Sequence, residues 1–220
     1  MNPPRRPIQT RVRRSILEAI RSGAIRPGQK LSIAALADTL GVSVTPIREA
    51  LSSLAGDGVL DLLSGGVVIV PAMTRAHLEE WLWLRRVIES QLVERGLERK
   101  TPSDAAAIAD LASEVSLNTL DADLCIEIGS AVIDRIVALA DREVLARNLC
   151  RVRSRCAAAL AEGQRHAGVE AAVSFAAGIA SALRGGRDND ARVIHGRYLD
   201  SIDAAVLSMM GNDVSSAPSR

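Results

Sequence analysis

Aromatic side chains are almost missing from this sequence. Its 220 residues include two Trp, one Tyr and one Phe, whereas apolar residues of all kinds make up 48%. A core that lacks large rings and is rich in Ala, Leu, Ile and Val favours helices packed against helices. A chain of this length can bury a respectable core, in one domain or in two.

Cysteines are few, and their spacing follows no known framework. Cys125, Cys150 and Cys156 are odd in number and have no CxxC spacing. This pattern argues against a disulfide scaffold and against a cysteine zinc site. We expect three ordinary buried thiols in a reducing cytosol.

Long apolar runs and catalytic motifs are also missing. The basic start is followed by no apolar stretch of a signal peptide, and the longest small or apolar run, residues 171–183, is too short to cross a bilayer. There is no Gly-rich phosphate loop, no nucleophile elbow and no grouping of His with carboxylates. The sequence therefore predicts a cytoplasmic protein that binds no membrane and is not an enzyme.

Charge is present but unevenly distributed. The formal net charge of the chain is +1, yet residues 1–75 hold ten Lys or Arg against five Asp or Glu, and residues 76–220 carry a net charge of −4. Such asymmetry predicts an anionic partner, nucleic acid or a membrane surface, for the N-terminal part.

The N-terminal residues predict three short helices. Apolar positions at helical spacing indicate a basic first helix over residues 8–22. Ser32 then begins a second helix, which Gly41 ends in the left-handed conformation. Ser43 begins a third at once, with Pro46 in its first turn, where a missing N–H costs little.

A hairpin and then an all-helical region follow. Two short strands flank the Gly65-Gly66 turn, which completes the outline of a winged helix-turn-helix over residues 1–73. Residues 74–212 predict an antiparallel all-α bundle, and residues 213–220 a disordered tail. The predicted helices of the bundle cover 75–100, 103–117, 121–140, 143–162, 169–184 and 189–210.

The third helix has one polar face. Thr45, Arg48 and Ser52 lie three and four residues apart and share this face, opposite the apolar residues Ile47, Leu51 and Leu54. In a helix-turn-helix, the second helix of the motif lies in the DNA major groove, and hydroxyl and guanidinium groups suit contacts with phosphates and bases.

The stretch "IRSGAIRPGQKLSIAALADTLGVSVTPIREALSSLAGDGVL" closely resembles the DNA-binding domain of the GntR family of bacterial transcriptional regulators. The helical remainder, opening with "LRRVIESQLVERG", is similar to the effector-binding domain of the FadR subfamily, called FCD. The resemblance implies a DNA-binding surface. Val44 departs from the family pattern, because most relatives have arginine at this position. The residues predicted to contact DNA are Arg48, Thr45, Ser43, Val44, Ser52, Gly65 and Gly66.

Many FCD domains bind a divalent metal through one Asp and three His. The resemblance shows which residues of this sequence occupy the four ligand positions. These positions fall on Gly129, Ile133, Ala176 (or Ala177) and Tyr198, none of which is an Asp or His. We therefore predict no metal and no cofactor. His77 and His166 are expected in solvent, and so is His195, although it precedes Tyr198 by one turn.

The resemblance also predicts a pocket for a small molecule in the helical domain. Arg85 corresponds to a family arginine that meets acidic effectors, although it also suits an ordinary intrahelical pair with Glu89. An acidic effector with an apolar part is expected. The residues predicted to form the pocket are Arg85, Gly129, Ile133, Ala176, Tyr198 and His195.

These expectations combine into a homodimeric regulator, most often a repressor in this family, that binds a near-palindromic double-stranded operator under the control of a small-molecule effector. One alternative is a regulator whose C-terminal domain only dimerises and binds no effector. The other is an all-α enzyme with a DNA-binding arm.

Overall fold

The computed structural model describes residues 8–115 and 122–210. Their helices are α1 (Ile8–Arg21), α2 (Ile33–Leu40), α3 (Val44–Gly56), α4 (Arg75–Arg99), α5 (Pro102–Ser113), α6 (Ala122–Leu139), α7 (Glu143–Arg155), α8 (Ala157–Arg184) and α9 (Asp188–Met209). Their strands are β1 (Lys30–Leu31), β2 (Asp61–Leu62) and β3 (Val68–Ile69). The predicted fold class, a winged helix-turn-helix followed by an all-α bundle, is confirmed.

The helix-turn-helix begins and ends where local chemistry predicts. The Ser32 hydroxyl accepts a hydrogen bond from the Ala35 N–H, which caps α2. Gly41 ends α2 at φ 63°, a left-handed conformation that glycine adopts without steric cost. Ile47 and Leu51 of α3 are fully buried against α1, so the apolar face of α3 is fixed inward.

The wing is a three-stranded antiparallel sheet in the order β1-β3-β2. Lys30 pairs with Ile69, and Asp61 pairs with the same residue from the other side, so β3 is the central strand. The predicted hairpin is confirmed, and β1 closes its free edge.

The bundle differs from the predicted helices near its middle. The predicted helix 143–162 ends at Arg155, because the chain bends at the buried Cys156 before α8 begins. The predicted joint at 163–168 is shortened to a kink at Gly168, at φ 81° and ψ 167°, and the helix predicted from residue 169 continues directly after it. The helix predicted over 103–117 ends at Ser113.

Two large cores, with a small third cluster that joins α4 to α7, hold these elements. One joins α1, α2, α3 and the wing around Ile16, Ile47 and Leu54, and the other joins α4, α5, α6, α8 and α9 around Ile136 and Ile179. The boundary between residues 73 and 74 remains a prediction. The tail predicted over 213–220 lies outside the described residues.

Helix α8 has the length and hydropathy of a membrane span, the one such helix among the described residues. The run at 171–183 lies in the part of α8 that follows the kink at Gly168. Its inner face, including Phe175 and Ile179, packs into the bundle core. Core helices of soluble proteins commonly have this composition.

Two helix pairs approach so closely that only glycine fits between them. A Cβ at Gly96 in α4 would lie 2.0 Å from the Ile136 carbonyl oxygen of α6. A Cβ at Gly163 in α8 would lie 2.2 Å from Val206 Cγ2 of α9. Gly163 therefore serves packing and not a turn, and the break predicted over 163–168 falls at Gly168 alone.

Gly96→Ala is expected to destabilise the protein by about 3 kcal/mol, because its methyl group meets rigid backbone. Gly196→Ala in α9 is the matched control, since a Cβ there meets nothing within 4 Å. That change should be neutral or stabilising by up to about 1 kcal/mol through helix propensity. Urea unfolding measures both, and equal midpoints would contradict the close approach of α4 and α6.

Candidate functional site

The outward face of α3 is polar and exposed. Thr45, Arg48 and Ser52 are all exposed, on the side opposite the buried Ile47 and Leu51. Within the described residues, Arg48 has neither a hydrogen bond nor an ion pair. Its guanidinium is therefore free to bind an external acceptor.

Ser43 takes the N-cap position of α3, but its side chain makes no capping hydrogen bond. A capping hydroxyl bonds the N–H of the second or third helical residue, and the third here is Pro46, which has none. The prediction of a Ser43 side-chain cap is therefore wrong. Its exposed hydroxyl stays available beside Val44, which is 39% exposed at the first helical position.

The wing tip is built from two glycines in the left-handed region. Gly65 has φ 80° and Gly66 φ 77°, and a Cβ on either would meet nothing within 4 Å. The turn between β2 and β3 is closed by a hydrogen bond from Leu63 N–H to the Val67 carbonyl at 2.8 Å. An exposed loop without side chains can approach a nucleic-acid backbone closely.

A second candidate site is a cavity of about 660 Å³ between α1 and the helical bundle. Its volume suits a small organic molecule. Most of its wall is apolar, and charged groups from four helices reach it. The residues that line it include Arg14, Leu17, Arg85, Glu89, Cys150 and Arg153, together with Ile133, Asp134, Gln164 and Tyr198.

Glu89 is the centre of a buried ionic network. It is 1% exposed, its Oε2 accepts a hydrogen bond from Arg153 Nε at 3.0 Å, and its Oε1 lies 3.1 Å from His195 Nε2. Burial raises the pKa of Glu89, but the His195 hydrogen bond and the charges of Arg153 and Arg85 outweigh it and hold that pKa at about 2. Since ionised Glu89 only accepts, His195 donates from Nε2.

Arg85 belongs to a neighbouring pair. Its Nη2 donates to Asp203 Oδ1 at 2.7 Å, and Arg86 Nη2 donates to the other oxygen of Asp203 at 2.9 Å. The Nε of Arg85 is buried and has no hydrogen-bond partner among the described residues. The interpretation of Arg85 and Glu89 as an ordinary intrahelical pair is wrong, because each is buried and bonded to side chains of other helices.

Tyr198 adds the one aromatic hydroxyl of the cavity wall. Its ring stacks on Phe175 with centroids 4.4 Å apart. Burial raises the pKa of Tyr198, although a hydrogen bond with Gln164 lowers it. The phenol is therefore neutral near pH 7 and can exchange hydrogen bonds with a ligand.

The predicted pocket residues occupy three kinds of position. Arg85, Ile133 and Tyr198 line the cavity. Gly129 and Ala176 are buried and are not among the residues that line the cavity. His195 lies behind Glu89 and is 3% exposed, so the expectation of a surface histidine is wrong. His77 and His166 are exposed.

The described residues contain no group of three or more His, Cys, Asp or Glu arranged to hold a metal ion. His195 is hydrogen-bonded to Glu89. The side chains of Gly129, Ile133 and Ala176 contain no atom that could coordinate a metal ion. The prediction of no metal remains a prediction, and the donor chemistry agrees with it.

Sequence reasoning missed most of the charged wall, although the signal was present. In α4 the buried positions Leu78, Leu82, Arg85, Glu89 and Leu92 follow one another at helical spacing. Two opposite charges on an otherwise apolar stripe indicate buried groups with partners on other helices. Arg14 and Leu17 of α1 gave no such signal, because only the packing of the two modules brings them to the cavity.

Residues 8–70 match the model of a family described as bacterial regulatory proteins, gntR family. The curated relatives include the HTH-type transcriptional regulator McbR of Escherichia coli K12, with 35% identity over 40% of this chain and 40% of that protein. They also include the HTH-type transcriptional regulator LutR of Bacillus subtilis 168, with 26% identity over 48% of this chain and 55% of that protein. The chain thus matches about half the length of these relatives.

A solved structure of E. coli McbR/YncC has the same fold over a much larger span. It superimposes with a TM-score of 0.73 over 94% of this chain and 100% of that chain, at 22% identity. This likeness covers the helical bundle as well as the winged module.

Glu89→Gln should destabilise the protein by about 3 kcal/mol at pH 7, because it removes the charge of a buried carboxylate that binds His195 and the partly buried Arg153. Since the pKa of Glu89 is lowered from 4.5 to about 2, its stabilising effect is complete above pH 4.5 and is lost as the pH falls to 2. Wild-type stability should therefore fall more steeply over this range than that of Glu89→Gln.

The control is Glu98→Gln, whose carboxylate pairs with Arg95 on the surface of the same helix. This variant should keep the wild-type pH profile and lose less than about 1 kcal/mol. Urea unfolding between pH 2 and pH 7 measures all three proteins. Parallel profiles for wild type and Glu89→Gln would contradict the assignment of Glu89 as an ionised buried group.

Proposed function

From the premise that residues 8–70 form a GntR-family helix-turn-helix domain, we propose that the chain is a sequence-specific DNA-binding transcriptional regulator. The observation that carries this proposal is the unpaired, exposed Arg48 on a face of α3 that also presents Thr45 and Ser52. A guanidinium so placed can bind phosphate or a guanine edge. The free Ser43 hydroxyl and the Gly65-Gly66 tip extend the proposed surface.

The helical domain is proposed to bind a small-molecule effector. The cavity supports this proposal over a domain that only dimerises, because about 660 Å³ lined by apolar groups and by Arg85 is left open by the surrounding side chains. Its proposed occupant has an apolar body and an oxygen acceptor. The matched curated relatives are named as transcriptional regulators, which disfavours the enzyme with a DNA-binding arm.

The regulator is proposed to act in the cytoplasm as a homodimer. A near-palindromic operator requires two recognition helices related by a two-fold axis. Trp83 of α4 is 66% exposed and Val87, one turn later, is 42% exposed, so an apolar stripe is available on the bundle surface. Sedimentation velocity at micromolar concentration should show a dimer, and a monomer would contradict the two-fold operator.

Arg48→Ala is expected to weaken specific DNA binding by about 1–3 kcal/mol and to leave folding intact, because the side chain is outward and unpaired. The DNA is a duplex selected by wild-type protein from a random-sequence library, and binding is measured by fluorescence anisotropy at several salt concentrations. Losing a base contact should also relax sequence preference at one position of each half-site.

Arg142→Ala is the matched control, since Arg142 is an exposed arginine of the helical domain. Its affinity and salt dependence should equal those of wild type. If Arg48→Ala also retains wild-type affinity and salt dependence, α3 is not the recognition helix. If wild-type protein selects no sequence from the library, the proposed function itself is wrong.

A further inference from the structure

The cavity is built from both modules and not from the helical domain alone. Arg14 and Leu17 of α1 form one wall, and α4, α6, α7, α8 and α9 form the others. We propose that the ligand of this chain binds at the junction of the two modules, in direct contact with α1. This inference rests on the proposed function for its regulatory meaning, and the location of the site can be tested without DNA.

Helix α1 is joined firmly to the recognition helix. Arg13 of α1 donates a hydrogen bond to Ser53 Oγ at 3.2 Å and forms an ion pair with Asp57 at the end of α3. Ile16 of α1 and Leu51 of α3 are buried in the same core. A force on α1 from the cavity side is therefore transmitted to α3, because the two helices share one packed core.

The opposite wall also reaches the DNA-binding module. Arg153, at the end of α7, faces the cavity and binds Glu89. Two residues later, Arg155 donates to the Gly58 carbonyl at 3.0 Å and to Asp61 Oδ1 at 2.7 Å, at the base of the wing. The last turn of α7 thus has one arginine in the cavity and another on the wing.

The charged side chains of the cavity wall that lack a partner indicate which chemical groups the ligand carries. Both oxygens of Glu89 are occupied, and Arg153 is shared between Glu89 and Asp134. Arg14 of α1, by contrast, is exposed and has neither a hydrogen bond nor an ion pair among the described residues, and Glu18 one turn later also lines the cavity. The structure therefore favours an anionic oxygen group on the ligand at Arg14, with apolar groups against residues such as Leu17 and Ile133.

A ligand that touches both modules binds with an affinity that depends on their relative placement. If DNA binding requires one placement, ligand and DNA must change each other's affinity by the same factor. Regulation then needs no long path through the bundle, because α1 is at once a wall of the ligand site and a support of α3.

The probe for this site is 1-anilinonaphthalene-8-sulfonate, which combines apolar rings with a sulfonate. Its fluorescence should rise on binding to wild-type protein. Arg14→Glu should weaken binding about tenfold, since it places a negative charge in the wall beside an anion. Arg11→Glu is the matched control, because Arg11 is exposed on the same helix and does not line the cavity.

Cys150 provides a second measurement from the opposite wall. It is exposed and lines the cavity, so the expectation of a buried thiol is wrong for Cys150, whereas Cys125 and Cys156 are buried. Iodoacetamide should modify it quickly in wild-type protein and not in Cys150→Ser. Saturating probe should slow this reaction about fivefold or more through steric exclusion.

Equal probe affinities in Arg14→Glu and Arg11→Glu, or no protection of Cys150, would overturn the location of the site between the modules. A wild-type protein that binds no probe would overturn the proposed ligand class. If ligand binding is coupled to DNA binding, saturating probe must change the affinity of the protein for the selected duplex. An unchanged affinity would overturn this coupling. Failure of wild-type protein to select any duplex would instead reject the proposed function, while the probe and Cys150 measurements still decide the site.

Discussion

The bundle depends on the burial of two opposite charges on one helix. Arg85 and Glu89 occupy core positions of α4 and are each less than 5% exposed. Unpaired ions cannot remain charged in such surroundings, so partners must come from other helices: Asp203 and His195 from α9 and Arg153 from α7. These pairs fix the relative rotation and depth of α4, α7 and α9 in a way that interchangeable aliphatic side chains cannot.

The same network determines what the cavity offers. Because Glu89 and Arg153 satisfy each other, they present a polar wall with little capacity for further bonds. Arg85 differs, since Asp203 is divided between it and Arg86, and its buried Nε has no hydrogen-bond partner among the described residues. That Nε is closed off from the cavity, so the cationic side chain available to the proposed ligand is Arg14 of α1.

Local chemistry made the winged module predictable and left much of the helical domain unpredictable. Ser32, Gly41 and the Gly65-Gly66 turn act within a few residues, so their roles follow from sequence alone. The joint predicted over 163–168 is only a kink at Gly168, and Gly163 is required instead by Val206, forty-three positions away. His195 was misplaced for the same reason, since its partner Glu89 is on another helix. The intermodule cavity was not predicted at all.

The absence of a metal-type donor set and the presence of the ionic network are connected. At the four positions that the resemblance assigns to metal ligands, Gly129, Ile133 and Ala176 supply no donor, and Tyr198 is a neutral phenol stacked on Phe175. A metal would have linked several helices through one central cation. Here guanidinium groups supply the buried positive charge, and because Arg85 and Arg153 are parts of the chain, cross-linking of the helices needs no ion from solution. A cavity without a fixed central ion leaves room for the proposed organic ligand to reach α1, which forms part of the wall.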